Sequence, residues 1–291
     1  MEPEGLNPDE RRLEAVDPRT VLVDCGPMRM YIQVLDRGRP LIDLAMEGGR
    51  VALTVLEDLA RFLPVLKRKA LEIEDNADFP VVVRKMIDAS RKMEAVDLTP
   101  LAAVAGASSD VVADYLIGKG GTKVIVDNGG DVAIRLLGEE TARVGIKTEV
   151  DAERPSYLLI IRPGMGIGGV ATSGLGGRSF TKGIASAVTV LAEDAALADA
   201  AATVIGNAAN AEDPAITRYL PETVYPDSDI AGEWVTGAVG SLPPAKVEEA
   251  LEKGLAQAYR ICRKGHIKGA FIAVKGRAVW TDSLAQHLRK L

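Results

Sequence analysis

The stretch from Gly164 to Asn207 reads GMGIGGVATSGLGGRSFTKGIASAVTVLAEDAALADAAATVIGN, and the rest of the chain is organised around it. Its first half is a loop rich in glycine and in hydroxyl side chains. The apolar alternation from Ala185 to Leu191 then predicts a buried strand. The Ala-rich segment from Leu197 to Asn207 predicts a helix, because Ala favours the helix and allows another backbone to approach closely. The stretch therefore predicts a flexible loop, a strand and a tightly packed helix, in that order.

Two polar side chains, Asp199 and Thr203, interrupt the apolar run of this helix. They stand four residues apart, so their oxygens lie on one helix face, one turn above the other. Beside a loop full of backbone N–H groups, a carboxylate and a hydroxyl in this arrangement could hold Mg²⁺ against a phosphate. Alternatively, the Asp favours the positive end of the helix dipole and the Thr bonds its own i−4 carbonyl. The spacing alone leaves both interpretations open.

The composition argues against several classes of protein. The chain has 291 residues and a net charge of −6, and this acidic balance disfavours the clustered basic face that nucleic-acid binding requires. Its two cysteines, Cys25 and Cys262, lie far apart, which argues against a disulfide scaffold or a thiolate zinc site. The acidic N-terminus does not resemble a signal peptide, and charges interrupt the longest apolar run. We therefore expect a cytoplasmic protein without nucleic-acid or membrane partners.

The first part of the chain predicts a tail followed by strands. Residues 1–18 are polar and predict a flexible N-terminal tail, whereas residues 19–291 predict a single domain that could divide into two lobes. Apolar and β-branched residues predict a hairpin of Thr20–Asp24 and Met28–Leu35, with a turn between them. A third strand is predicted over Leu41–Met46.

Helices are predicted next. Apolar residues recur with helical period over Ala52–Leu71, although Pro64 should kink or break this helix. Val82–Met93 predicts a second amphipathic helix. Leu98–Leu116 is rich in small and apolar residues, which favours a buried helix that packs very close to its neighbours.

The second half of the chain predicts mostly strands. Lys123–Ile134 predicts strand, turn and strand, because Asn-Gly-Gly supplies positive φ without strain. Asp213–Asp229 contains several prolines and predicts a loop, and Pro244–Arg263 predicts a helix. Strands and helices follow one another without regular βαβ alternation, so the predicted fold class is α+β. The remaining predicted strands are Val144–Lys147, Tyr157–Ile161, Trp234–Val239 and a terminal hairpin over Ala270–Trp280.

One motif in the central stretch is misleading. The spacing Gly164-x-Gly166-x-x-Gly169 matches the dinucleotide-binding fingerprint of Rossmann folds. That fingerprint must lead into a helix whose N-terminus meets the pyrophosphate, and here more glycines follow instead. Ser173 does not lie in a Gly-x-Ser-x-Gly nucleophile elbow either. We therefore interpret the glycines as a binding loop of another kind.

Three segments together resemble a known family. Val126–Asp131 resembles the N-x-GGD strand and turn of ApbE-like proteins, the FAD:protein FMN transferases. Ala171–Gly174 resembles their ATSG segment, and Ala198–Thr203 their ADALAT helix. The similarity is closer to an uncharacterised branch of that superfamily, whose MAAVAGA, VIVENGGD and LADAAATAIGN segments are similar to Leu101–Ala107, Val124–Asp131 and Leu197–Asn207.

The resemblance implies a fold of mixed sheets flanked by helices and a role for two residues. In the transferases the Asp and Thr of the ADALAT helix hold Mg²⁺ beside the FAD pyrophosphate, and these positions are Asp199 and Thr203 here. The enzymes transfer FMN to a protein Thr and release AMP. A metal that neutralises the pyrophosphate charge would be their main electrostatic device.

The sequence departs from the family where catalysis would need it. The transferases carry an H-x-x-D-P-x-T-G segment after ATSG, but Leu175–Gly183 contains neither His nor Asp. Ala105-Gly106 replaces their KG segment. The Cys and His usual in the uncharacterised branch correspond to Ala171 and Arg178. The absence of these residues favours a protein that binds a ligand over an enzyme that transfers FMN.

We therefore predict a protein that binds a small anionic ligand of phosphate or flavin type in the Gly-rich loop, without FMN transferase activity. Mg²⁺ is the expected metal, held by Asp199 and Thr203, and FAD or FMN the expected cofactor. Alternatives are a Mg²⁺-dependent flavin transferase, an enzyme of sulfur or cofactor metabolism, and a scaffold or homo-oligomer subunit. The predicted ligand-binding residues are Asn128, Gly129, Gly130, Asp131, Thr172, Ser173, Gly174, Arg178 and Lys182. If the helix faces both Gly-rich turns, these groups should converge in one polar cleft lined by Asp199. We expect the two turns to supply the N–H donors that a buried Asp199 carboxylate needs.

Overall fold

A large antiparallel sheet lies at the centre of the computed structural model, which describes residues 11–148, 152–285 and 287–291. Within these residues the strand order of the ten-stranded sheet is β1-β2-β3-β5-β6-β9-β10-β13-β14, with β4 paired to β3. Its strands are β1 (Arg12–Asp17), β2 (Thr20–Cys25), β3 (Met28–Asp36), β4 (Arg39–Pro40), β5 (Lys123–Asp127), β6 (Val132–Leu136), β9 (Gly169–Ser173), β10 (Ala187–Ala192), β13 (Gly269–Val274) and β14 (Arg277–Trp280).

Two smaller sheets and six helices complete the described part. A three-stranded sheet has the order β15-β8-β7, and β11 pairs with β12. These strands are β7 (Ala142–Ile146), β8 (Tyr157–Ile161), β11 (Ile216–Tyr219), β12 (Val235–Val239) and β15 (Leu288–Lys290). The helices are α1 (Ile42–Leu66), α2 (Val81–Lys92), α3 (Val104–Gly118), α4 (Ala195–Ala208), α5 (Pro244–Arg263) and α6 (Asp282–Ala285).

Strands β10 and β13 of the large sheet are buried on both faces, and their side chains belong to two separate cores. On β13, Ile272 belongs to the core under the helices, whereas Phe271 and Ala273 belong to a second core shared with the three-stranded sheet. This division follows from the period of two along a strand, because successive side chains point to opposite faces. The protein therefore has helices, a central sheet and a small sheet in successive layers.

Helix α4 is the inner helix of the helical layer. It packs against α3, α5, β9 and β10. Ten of its residues are buried, and most of them are Ala. Small side chains let the neighbouring backbones come close, and this helix therefore carries Asp199 and Thr203 into the interior. The prediction of a tightly packed helix in this position is confirmed.

The predicted α+β fold class is confirmed, and so is the identity of most elements. The hairpins β2–β3, β5–β6 and β13–β14 lie where the sequence predicted them, and α5 has the predicted bounds. Pro64 lies in the last turn of α1, where the proline ends the helix rather than kinking its middle.

The N-terminal prediction needs a correction. Residues 1–10 lie outside the described residues, but Arg12–Asp17 of the predicted tail form the edge strand β1, paired with β2. This strand is polar because most of its residues are exposed, so it lacks the apolar alternation that identifies a buried strand. The expectation of a single domain stays a prediction.

Two further segments differ from the predictions. Leu41–Met46 is not a third strand: Leu41 caps α1, which begins at Ile42 and continues through Gly48 and Gly49. Both glycines are buried, and a Cβ at Gly49 would overlap the side chain of Leu13. The predicted loop after Asp213 contains β11, which is short and partly exposed.

Among the residues that the structure describes, one stretch, Pro100–Gly118, is long and apolar enough to cross a membrane by length and composition alone, although the sequence predicted no membrane span. Half of its most apolar window is buried in the protein. Its helix α3 packs against α1 and α4, as a core helix does.

Candidate functional site

Helices α3 and α4 cross with their backbones almost in contact. A Cβ at Gly106 would overlap the carbonyl oxygen of Ala195, so only glycine fits here without a shift. At this crossing each helix supplies a carboxylate to the other's N-terminus. Oδ2 of Asp199 accepts the Gly106 N–H at 3.0 Å. Asp110 accepts the N–H groups of Ala195 and Ala196 at 3.1 and 2.8 Å. Since first-turn N–H groups have no partner in their own helix, the two carboxylates cap the helices reciprocally.

Arg135 on β6 holds Asp110 in place. Its Nη2 lies 2.8 Å from Oδ1 of Asp110, whose side chain is fully buried. The same guanidinium donates to Asp114 and to the Gly168 carbonyl oxygen, both at 2.8 Å. Burial raises the pKa of Asp110, and the Arg135 charge opposes that rise. The start of α4 is thereby tied to both α3 and the sheet.

The turn between β5 and β6 brings Asp131 beside this crossing. Gly129 and Gly130 have φ values of 74° and 103°, which favour glycine. Oδ1 of Asp127 accepts the Gly130 N–H at 2.9 Å, which closes the turn. The Asn128 N–H donates to the Asp131 carbonyl oxygen at 3.2 Å. The turn is therefore held mainly by its own polar groups, as Asn-Gly-Gly chemistry predicts.

The Gly-rich stretch supplies the opposite wall. Its residues Gly169–Ser173 form β9, which pairs with β10 in the sheet, so part of the predicted loop is a strand. Beyond it, Arg178 reaches back across the site and donates to the carbonyl oxygens of Pro27 and Asn128 at 3.2 and 3.3 Å. A Cβ at Gly129 would overlap this guanidinium, so the glycine makes room for it.

These elements enclose a cleft with two adjoining chambers of about 370 and 300 Å³. The first chamber has apolar walls formed by Pro27, Met28, Leu56 and Leu59. The second is lined by polar and apolar groups that include Asp97, Thr99, Phe180, Lys182, Asn207, Asp229 and Ile230. The two chambers share a junction formed by Val104, Ala105, Asp131, Arg178, Ser179, Asp199 and Thr203.

The structure brings nearly all of the predicted site residues to this cleft. Lys182 lies in the second chamber, where it pairs with Asp97 and Glu233. Gly130 lines a neighbouring cavity of about 400 Å³ that shares Gly129 with the first chamber. The predicted residues that line the first chamber are Asn128, Gly129, Asp131, Thr172, Ser173, Gly174, Arg178, Asp199 and Thr203.

The carboxylates of Asp131 and Asp199 both lie at the junction and interact electrostatically. Burial raises the pKa of Asp199 from 3.8 to about 7, although the backbone N–H groups of Gly106 and Ala105 oppose this rise. Burial also raises the pKa of Asp131, and the adjacent Asp199 carboxylate raises it further. Both side chains remain partly exposed to the cleft. Two close carboxylates in a sheltered place favour either a shared proton or a bound cation.

The oxygen atoms at the junction suit a cation that is also coordinated by a bound ligand. Among the described residues no group of three or more His, Cys, Asp or Glu is placed to bind a metal. The junction offers Asp131, Asp199 and the hydroxyl of Thr203, which are the oxygen ligands that Mg²⁺ prefers. Within the described chain the Thr203 hydroxyl makes no hydrogen bond, whereas Ser108 and Ser109 do bond their i−4 carbonyls. Mg²⁺ with so few protein ligands depends on phosphate and water for the rest.

Sequence reasoning missed part of this site. It expected the N–H donors to Asp199 to come from the two Gly-rich turns, but they come from the N-terminus of α3. It also missed the pairing of Asp131 with Asp199 and the apolar wall from Met28, Leu56 and Leu59. These residues are distant in sequence, and no local motif connects them. The resemblance of Leu101–Ala107 to a family segment was the available signal that this region mattered.

Comparison with known proteins identifies the family to which the chain belongs. A family model described as AbpE bacteria matches residues 12–280. The chain belongs to this ApbE-like family. The match covers both Gly-rich turns and both helices of the crossing, so the family assignment includes the whole candidate site.

Relatives and solved structures agree with this ApbE-like assignment. A UPF0280 protein from Methanothermobacter thermautotrophicus is 40% identical over 196 residues, which are 65% of this chain and 73% of that protein. One from Methanosarcina barkeri is 35% identical over 170 residues, which are 58% of this chain and 65% of that protein, just under two thirds of its length.

The fold is similar to that of a solved flavin transferase. The structure of flavin transferase ApbE from Vibrio cholerae superposes with a TM-score of 0.53 at 16% identity, covering 95% of this chain and 100% of that one. At this identity the likeness establishes the ApbE fold. The chain thus shares the fold of this flavin transferase, as the resemblance in sequence implied.

Proposed function

We propose that the cleft binds an elongated, phosphate-bearing ligand together with Mg²⁺, and that a flavin dinucleotide such as FAD fits it best. The observation that carries the proposal is the arrangement of the cleft: two chambers meet at a junction that contains the polar side chains of Asp131, Asp199 and Thr203. A ligand with two ring systems joined by a pyrophosphate has the same organisation.

The junction suits the charged middle of such a ligand. Two carboxylates would repel a pyrophosphate, so a divalent cation must lie between them and the phosphate oxygens. Mg²⁺ is commonly held by one or two carboxylates plus substrate phosphates. Arg178, which lies at the same junction, has further N–H donors and can bond phosphate oxygens bidentately.

The two chambers suit the two ring systems at the ends of such a ligand. Pro27, Met28, Leu56 and Leu59 provide an apolar surface against which a planar ring can lie. Phe180 lines the other chamber and stacks edge-on with Tyr219 and Tyr225, with ring centroids 6.1 and 5.6 Å apart. Aromatic and aliphatic walls with a few polar groups are typical of nucleotide-sized ligand sites.

We further propose that the protein holds its ligand without transferring FMN. Of the described residues that line the two chambers, none is His or Cys. Asp199 is already engaged as the cap of α3, and Leu175–Gly183 lacks the His and Asp of the transferase segment. A general base for an acceptor hydroxyl would have to be a carboxylate, and the two carboxylates at the junction, Asp131 and Asp199, are the proposed cation ligands.

Isothermal titration with FAD, FMN, ATP and sulfate, each with and without Mg²⁺, tests the proposal. We expect FAD to bind most tightly, and its affinity to fall when Mg²⁺ is removed by EDTA. Glu252→Gln, an exposed substitution on α5 outside the lining of both chambers, serves as the control and should bind FAD like the unchanged protein. Absence of heat with all four ligands would refute the proposal.

A further inference from the structure

One polar atom of the cleft lacks a partner. Asn128 is 5% exposed and lines the first chamber, and within the described residues its side-chain oxygen Oδ1 is buried without a hydrogen bond. The backbone of Asn128 is fixed on both sides, since its N–H donates to Asp131 and its carbonyl oxygen accepts from Arg178. The residue therefore carries an acceptor on a fixed backbone, in a place where the described residues supply no donor.

A buried acceptor of this kind calls for a donor from outside the chain. Burying an amide oxygen without a hydrogen bond is unfavourable, and buried polar groups in native proteins are nearly always paired. Such an exception at the wall of a ligand-sized cleft indicates that a bound molecule supplies the missing donor.

The surroundings of Asn128 restrict what that donor can be. The same chamber has the apolar walls of Pro27, Met28, Leu56 and Leu59. A sugar or polyol would bury several hydroxyls against these walls without partners, which is unfavourable. A planar heterocycle can lie against them and present a single N–H at its edge.

Arg178 adds a second requirement. Its guanidinium lies against Gly129, the residue next to Asn128, and it uses two donations on the carbonyl oxygens of Pro27 and Asn128. Arg has five N–H donors in a fixed plane, so others remain for a ligand. The pair therefore offers an acceptor beside a donor, which matches a ring edge where an N–H adjoins an acceptor atom.

We propose that Asn128 is a specificity-determining residue whose Oδ1 accepts the edge N–H of a nucleobase-like or flavin ring in the first chamber, beside an acceptor atom of the same ring that faces Arg178. The inference rests on the proposed function, because the ring belongs to the ligand whose phosphate lies at Asp199. Imide N–H of a flavin and amino N–H of an adenine share this chemistry, and the test separates them.

The test compares ligands that differ by one donor. Affinities for FMN and N3-methyl-FMN, and for ADP and N6-dimethyl-ADP, are measured by titration calorimetry with Mg²⁺ present. For the unchanged protein we expect a loss of about tenfold or more on methylation in one of the two pairs, since a buried acceptor would again lack its donor. The pair that responds identifies the ring.

Two variants separate hydrogen bonding from simple crowding by the methyl group. In Asn128→Ala the ratio of affinities within the responding pair should fall towards one, because the acceptor is gone. Asn128→Asp keeps an acceptor oxygen and should keep the ratio, even if its added charge weakens binding overall. A ratio unchanged in Asn128→Ala would overturn the inference, because the discrimination would then arise elsewhere.

Affinities measured on the unchanged protein test the role of Asn128 even if the Asn128→Ala variant fails to fold. Equal binding of the methylated and unmethylated ligands in both pairs would overturn the role of Asn128 while leaving the proposed function intact. If FMN, FAD and ADP all fail to bind, the proposed function itself is wrong, and the inference falls with it.

Discussion

Asp199 has a structural role that its sequence context did not reveal. The spacing of Asp199 and Thr203 left two interpretations, a metal site and a helix-end interaction. The structure shows Asp199 accepting the Gly106 N–H at the start of α3, and the same side chain also lines the cleft. The two roles are compatible, because a carboxylate has two oxygens and about four acceptor sites.

Two substitutions of Asp199 separate these roles. Asp199→Asn keeps an oxygen that can accept the Gly106 N–H but loses the charge, so Mg²⁺-dependent FAD affinity should fall at least tenfold, about 1.4 kcal/mol. At pH 5, where the folded carboxyl holds its proton, the substitution should change stability little. Asp199→Ala should lose the same affinity and in addition about 1 kcal/mol of stability, since the cap is gone. Calorimetric titration and urea denaturation measure the two effects. Undiminished Mg²⁺-dependent binding by Asp199→Asn would exclude Asp199 as a metal ligand.

The raised pKa of Asp199 predicts how stability depends on pH. In the unfolded chain this carboxyl releases its proton near pH 3.8, whereas in the folded protein it holds the proton to about pH 7. Between these values the folded state binds more protons, so the free energy of unfolding falls as pH rises. One such group sets an upper limit of about 1.4 kcal/mol per pH unit. Above pH 7 its contribution to the slope ends.

Urea denaturation in EDTA at pH 5, 6, 7 and 8 measures this dependence. We expect the unchanged protein to lose more stability across this range than Asp199→Asn, with the difference arising between pH 5 and 7. Asp131, whose pKa is also raised, should leave part of the slope in the variant. If the free energy of unfolding changed equally with pH in the two proteins, the raised pKa of Asp199 would be contradicted.

At the scale of elements, the crossing of α3 and α4 defines the site. A Cβ at Gly106 would overlap the Ala195 carbonyl oxygen, so Gly106→Ala should force the helices apart and cost about 2 kcal/mol or more. Gly118→Ala in the same helix is the matched control, because a Cβ there meets nothing within 4 Å and Ala favours the helix. Chemical denaturation of both variants measures the cost. A Gly106→Ala protein as stable as the Gly118→Ala protein would show that the close approach is not needed.

Elements were predictable from the sequence where local patterns are strong. Helix α5 begins after Pro243 and carries one apolar face, and the β5–β6 turn has Asn-Gly-Gly chemistry. Strand β1 and the first turns of α1 were not predictable in this way. The pairing of β1 and the burial of Gly48 and Gly49 are decided by tertiary neighbours, which override local propensity.

The residues of the site were predictable from the sequence to about the same degree as the helices and strands. Resemblance and spacing identified Asp199, Thr203 and the two Gly-rich turns. The N–H donors to Asp199 could not be found in this way, because Gly106 lies 93 residues away in sequence and carries no side chain. The buried Asn128 acceptor likewise becomes visible only when every nearby donor is known.

At the scale of the whole molecule, the chain has the fold of a flavin transferase, but one of its segments differs from the sequence pattern of the transferases. The chain superposes along 95% of its length on a flavin transferase, yet its Leu175–Gly183 segment lacks His and Asp. We therefore expect no transfer when the protein is incubated with FAD, Mg²⁺ and a candidate acceptor protein. Chromatography of AMP and in-gel flavin fluorescence check this expectation, and rapid AMP release would contradict it.

The central claim is that the junction of the two chambers holds a divalent cation against the phosphates of a ligand. Crystals grown with FAD and Mn²⁺, with diffraction recorded at a wavelength where Mn²⁺ scatters anomalously, test it most directly. The account predicts an anomalous peak in contact with the Asp199 carboxylate and the Thr203 hydroxyl, with FAD phosphate density beside it and one ring in each chamber. FAD phosphates bound away from this junction, or a junction that stays free of Mn²⁺ while FAD is ordered elsewhere, would contradict it.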